Sequence, residues 1–133
     1  MTVVLDTNVV VAALVAEGLC REVVHRAVRM RILASSARLM DELDVTLRRK
    51  FAVTPAAHAF LKAFRRHIPL VQPVTLPKAI CRDPNDDVVL ATAVAAKANL
   101  IITGDQDLLV LKAYEGIDII SPRRFLEWLD AEA

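Results

Sequence analysis

A three-layer α/β/α sandwich around a central, mainly parallel sheet is the architecture this sequence predicts, and two observations carry it. Short β-branched or aliphatic runs alternate with longer helical patterns along the 133 residues, the alternation that places helices on both faces of a parallel sheet. The short runs are continuously apolar, as expected of strands buried on both sides.

The predicted strands are Thr2–Leu5, Ile32–Ala34, Leu70–Gln72, Leu100–Thr103 and Ile117–Ile120. Between them, helical periodicity covers Val9–Ala16, Leu19–Arg29, Ala37–Lys50, Pro55–His67, Asp86–Ala98, Asp107–Lys112 and Arg123–Ala131. Boundary signals agree. Thr54 before Pro55, Ser121 before Pro122 and Asp83 before Pro84 each pair a capping side chain with a proline suited to the first helical position. The stretch Pro69–Pro77 holds three prolines and predicts an irregular crossing. A length of 133 residues with 55% hydrophobic side chains supports one core and one domain over residues 1–133.

Composition excludes several classes. The 17 basic and 16 acidic side chains leave a formal charge of +1, so any nucleic-acid surface must be local. Cys20 and Cys81 fit neither a zinc spacing nor a disulfide framework, which predicts a reducing, cytoplasmic setting. Asp6 interrupts the first apolar run, so neither a signal peptide nor a membrane span is expected. Gly18, Gly104 and Gly116 form neither a P-loop nor a dinucleotide fingerprint.

The chemistry lies in the acids. Asp6 follows Val3, Val4 and Leu5, and Asp105 follows the run Leu100–Gly104, so both stand at carboxyl ends of strands, where open α/β sheets place their ligand crevices. Each also suits a helix N-cap. Two such carboxylates on neighbouring strands repel one another, and a divalent cation removes that cost where core packing does not. In the acid-rich turn Asp83–Asp87, Asp83 suits a cap. At about 100° per residue Asp86 falls on the stripe of Val89, Leu90 and Ala93, while Asp87 turns away. Helix-dipole complementation accounts for Asp83 and Asp87 but not for an acid on the apolar side, so helical phase favours Asp86 as the ligand while Asp83 and Asp87 stay candidates. Among Asp41, Glu42 and Asp44, the same projection places Glu42 between Val45 and Leu39, Asp41 opposite the apolar stripe and Asp44 at its other border.

Taken together, Leu5-Asp6-Thr7-Asn8, Ser36 with Glu42, Asp83–Asp86 leading into Leu90-Ala91-Thr92-Ala93, and Thr103-Gly104-Asp105 followed by Asp107-Leu108-Leu109 resemble the PIN-domain family. The likeness covers nearly the whole chain and is greatest to bacterial members regarded as toxins of toxin–antitoxin pairs, relatives of the VapC type. It implies an α/β sandwich, a Mg²⁺ or Mn²⁺ site and endoribonuclease activity. Asp6, Glu42, Asp86 and Asp105 match the family's metal-binding and catalytic acids, and Asn8 and Thr103 match polar positions that steady them. A small antitoxin and a second copy of the chain are the partners the resemblance implies.

An all-carboxylate donor set suits a hard cation, and His25, His58 and His67 fall outside it. RNA contacts are expected from Arg48, Arg49 and Lys50 at the end of one helix, which equally suit its C-terminal dipole; Arg65 and Arg66 repeat the arrangement. Phe51, Phe60, Phe64, Tyr114, Phe125 and Trp128 mostly follow core stripes, so contact with the RNA backbone is expected over base stacking. Two other readings use the same features. A haloacid-dehalogenase-type phosphotransferase is opposed by Asn8, where that class carries a second Asp. A non-catalytic RNA- or protein-binding module would retain the fold without cleavage.

Overall fold

The structure is a computed structural model that describes residues 1–50 and 54–132; Phe51 lies outside the described residues. Among these, five strands form one sheet in the order β2-β1-β3-β5-β4. The strands β1 (Val3–Leu5), β2 (Leu33–Ala34), β3 (Leu100–Ile102) and β5 (Ile117–Ile120) run parallel, and β4 (Ala113–Tyr114) pairs antiparallel with β5. The helices are α1 (Thr7–Val15), α2 (Leu19–Met30), α3 (Ala37–Lys50), α4 (Pro55–His67), α5 (Pro84–Ala95), α6 (Gln106–Leu109) and α7 (Pro122–Glu132).

Side-chain alternation along each strand separates two apolar layers. Val3, Leu5, Leu33 and Ile102 join α1, α2, α4 and α7 on one face. Val4, Ile101, Ile117 and Ile119 join α5 and α6 on the other. Helix α3 straddles the β2 edge, with Leu39 in the second layer and Met40, Leu43 and Leu47 in the first. Val3, Val4, Ile101 and Ile102 have no exposed surface, and burying each stabilises the centre of the sheet by about 1.5–3 kcal/mol.

Three helix starts follow their sequence signals. Thr54 accepts from the Ala57 N–H, Asp83 from Asn85 and Ser121 from Arg124, each one residue before a proline. Two expectations are corrected. Leu70–Gln72 forms no strand, because prolines at 69 and 73 remove ladder donors; only a single parallel bridge joins Leu70 to Ser35. The helix expected over Asp107–Lys112 covers only Gln106–Leu109. Lys112 adopts a left-handed φ of 62°, and the chain enters β4 instead. Glu115 and Gly116, with φ of 50° and 79°, close the β4–β5 hairpin as a two-residue loop, a geometry that requires positive φ at both positions and that glycine adopts without strain. No helix among the described residues is long and apolar enough to cross a membrane.

Strand order decides where a site can form. From β1 the chain crosses to β2 on one side, while β3 lies on the other, so the order reverses between β1 and β3. Ligand crevices of open α/β sheets lie at such a reversal, beyond the carboxyl ends of the strands. Register places Leu5 beside Ile102, and the ladder continues one residue further, with the Asp6 N–H donating to Ile102 and the Thr103 N–H to Ile120, each at 3.0 Å. Asp6 and Thr103 are therefore held by the sheet itself.

Candidate active site

Asp6 is buried at the reversal and has two functions. Its Oδ1 caps α1, accepting at 3.5 Å from the Asn8 N–H. Its Oδ2 accepts a 2.7 Å hydrogen bond from the Thr103 hydroxyl, and that same hydroxyl oxygen accepts from the Asp105 N–H at 3.0 Å. Thr103, fully buried, therefore links the acids of two strand ends. Asn8 acts through its backbone N–H, and its side chain is exposed. Asp105 caps α6 by accepting from the Asp107 N–H at 2.9 Å.

Two helices supply the remaining acids. Ser36 Oγ lies 3.0 Å from Thr92 Oγ1 and accepts from the Leu39 N–H, fastening the start of α3 to α5. From α3, Glu42 reaches the Thr7 hydroxyl, which stands 3.5 Å from both Glu42 Oε1 and Asp6 Oδ1. One hydroxyl proton serves one of these acids at a time. The other two acids of α3 face cations: Asp41 pairs with Arg65 at 2.9 Å and Asp44 with Arg48 at 3.1 Å. Among the described residues, Asp6, Glu42, Asp86 and Asp105 have no salt bridge.

The first turn of α5 divides its acids into three roles. Asp83 is the exposed cap. Asp87 accepts from the Ile80 and Cys81 N–H groups at 3.1 and 2.8 Å, pinning the approach to the helix. Asp86 is buried, and each of Asp86, Asp105 and Asp107 offers a carboxylate oxygen within 4.8 Å of the others. Asp107 was not assigned a role from sequence, although its place two residues after Asp105 in a helix's first turn is a usable signal. One of its oxygens is held by Arg82 at 2.6 Å. The Thr7 hydroxyl, inside the Leu5–Asn8 motif, was likewise not singled out.

Crowding shows in the proton affinities. Burial, followed by the charges of Asp105, Asp6 and Asp83, pushes the Asp86 carboxyl up to about 7. Burial also raises Asp6, against the hydrogen bond from Thr103. It raises Glu42 too, with the charges of Asp6 and Asp83 adding to the effect and the Arg38 charge opposing it. Burial and the hydrogen bond with Asp87 drive the Cys81 thiol up to about 12, which keeps it protonated and non-nucleophilic.

The family model for the PIN domain matches residues 2–107. The chain belongs to the PIN-domain family. The match runs from β1 into α6 and so includes every acid described above. No match was found among curated proteins or among solved structures. PIN domains are generally nucleases that use divalent metals, and Asp86, Asp105 and Asp107 form an acidic cluster that could hold one. It is made of carboxylate oxygens alone, and it includes Asp86, whose ionisation is opposed by burial and by the neighbouring acids.

Proposed function

We propose that this PIN domain is a metal-dependent endoribonuclease and the toxin of a toxin–antitoxin pair. The observation that carries the reading is the cluster of Asp86, Asp105 and Asp107 at the carboxyl edge of the sheet, to which Thr103 ties Asp6 through its bonds to Asp6 and Asp105, and Thr7 in turn ties Glu42 to Asp6. Asp6, Glu42, Asp86 and Asp105 would hold Mg²⁺ or Mn²⁺, and Asp107 stands beside them. When bound, such an ion supplies Lewis acidity toward a phosphodiester oxygen and makes water a better nucleophile.

The chain's own groups do the positioning. Asp86, whose proton is held by burial and the neighbouring acids, would carry its carboxylate charge when such an ion is held. Thr103 keeps Asp6 Oδ2 in place by donating to it and fixes Asp105 through its N–H. A carboxylate then orients water for in-line attack on phosphorus, leaving a 5′-phosphate and a 3′-hydroxyl. Arg48, Arg49 and Lys50, exposed at the end of α3, would meet phosphates away from the cleavage point. A small antitoxin offering a cation to the acids, and a second copy of the chain, complete the proposed assembly in a reducing cytoplasm.

Cleavage of fluorescent single-stranded RNA and of structured tRNA, with Mg²⁺ or Mn²⁺ and with excess chelator, tests this. We expect metal-dependent cleavage that drops at least about 100-fold in folded Asp6→Ala and Asp86→Ala variants. Cleavage that persists in both variants or in chelator places the activity elsewhere. Binding of RNA without cleavage of any substrate favours the non-catalytic module.

A further inference from the structure

Beside the acids runs a groove that their chemistry does not use. It has a volume of about 500 Å³ and lies between the start of α3, the segment 72–79 and one side of α5. Val74, Leu76 and Val88 line it, and Arg38 and Lys78 stand on it, both exposed. Neither cation has an ion-pair partner among the described residues, so both are free to meet a ligand's charge.

The groove is held open by the backbone. The Val74 N–H donates to the Ala91 carbonyl at 3.3 Å, which fastens the irregular segment across α5. Asp87, the one acid on the groove wall, has both oxygens engaged by Ile80 and Cys81 N–H groups. Its charge is thereby turned into the wall, leaving the two cations to set the character of the surface.

The groove also leads to the acids. Arg38 precedes Glu42 by four residues on α3, so both lie on one helical face, and its charge is felt at Glu42. Pro84, on the opposite wall, follows Asp83, whose charge reaches Glu42 and Asp86. A polynucleotide carries one phosphate per nucleotide. A strand with one phosphate at the acids therefore delivers its next phosphates to whatever surface continues from them.

We propose that this groove is the track for single-stranded RNA beside the acid cluster, with Arg38 and Lys78 as phosphate contacts and Val74, Leu76 and Val88 as an apolar floor for bases. The choice of RNA and the direction of the strand rest on the ribonuclease reading above. Continuity with the acids favours a nucleic-acid strand over an acidic peptide, which has no second phosphate to place there.

The test is fluorescence anisotropy of a labelled single-stranded RNA oligomer with the full chain in Mg²⁺ across a salt series, the oligomer's integrity being checked on a gel. The Arg38→Ala/Lys78→Ala double variant is expected to bind at least about tenfold more weakly. Its salt dependence should flatten by about 1.4 in log–log slope, the value for two lost contacts to a single strand. Lys62→Ala/Arg123→Ala, which removes the same charge from exposed positions off the groove, should stay within about twofold with its slope unchanged. Equal behaviour of the two double variants overturns the proposal, as does a wild-type chain that binds no RNA. A chain that binds through Arg38 and Lys78 yet cuts nothing sinks the nuclease reading and leaves the track. A chain that cuts RNA at an unchanged KM in the Arg38→Ala/Lys78→Ala variant sinks the track and leaves the nuclease.

Discussion

Two charge runs look alike in the sequence and behave oppositely in the fold. At the end of α3, Arg48, Arg49 and Lys50 are all exposed, and Arg48 leans back on Asp44 one turn earlier. At the start of α5, Asp83, Asp86 and Asp87 occupy the cap, the interior and a backbone clasp. The difference comes from what each helix end abuts. The end of α3 meets solvent, which screens its charges and leaves each of small consequence. The start of α5 meets the carboxyl edge of the sheet, where desolvation and neighbouring acids make Asp86 costly to ionise.

The sharpest break in this comparison is Asp86→Asn. The folded protein holds the Asp86 proton up to about pH 7, whereas an unfolded Asp releases its own near about 4. Between those values the folded state binds more protons, so this group's contribution is full below about 4 and is lost as pH rises toward 7. Metal-free protein should therefore lose stability over that window, by at most about 1.4 kcal/mol per pH unit from this group. Divalent cation should raise the melting temperature more at pH 8 than at pH 5. In the Asn variant, cleavage should fall at least about 100-fold while the metal-free protein at pH 8 gains about 1 kcal/mol or more. Chemical denaturation of both proteins at the two pH values checks it, and a less stable metal-free variant would show that Asp86 is not crowded.

Next in size is Asp87→Ala, one residue away. It strips the acceptors from the Ile80 and Cys81 N–H groups and should cost about 2–3 kcal/mol by equilibrium unfolding. Unlike Asp86→Asn, it should leave the metal-induced stabilisation measurable. Smallest is Arg49→Ala/Lys50→Ala, expected to change stability by less than about 0.5 kcal/mol and RNA affinity by about twofold to fivefold. A larger loss of affinity would make the end of α3 a principal RNA contact and the contrast between the two runs would collapse.

Local signals made most of the fold legible. Continuous apolar runs disclosed β1, β3 and β5, and cap-plus-proline pairs disclosed the starts of α4, α5 and α7. What failed depended on partners. Leu70–Gln72 has strand-like side chains, but its flanking prolines leave one bridge, and β4 exists only because the turn at Glu115 and Gly116 folds it onto β5. The site divides similarly. Helical phase alone separated Asp86 from Asp87 and set Glu42 apart from Asp41. No local pattern showed that Asp87 would clasp two N–H groups six and seven residues back, or that Thr7 would stand between Asp6 and Glu42.

The hydrogen bond between Thr103 and Asp6 spans 97 positions of the chain, and that span has a temporal meaning. A polypeptide is synthesised from its amino end, and β1, which pairs with β3, cannot complete its ladder until residues 100–102 exist. Asp6 is made before its hydroxyl donor, which follows 97 residues later. A growing chain thus carries Asp6 without the second strand end beside it. The long-range pairing acts as a timer, so that the acids are assembled only once residues 100–105 have been made.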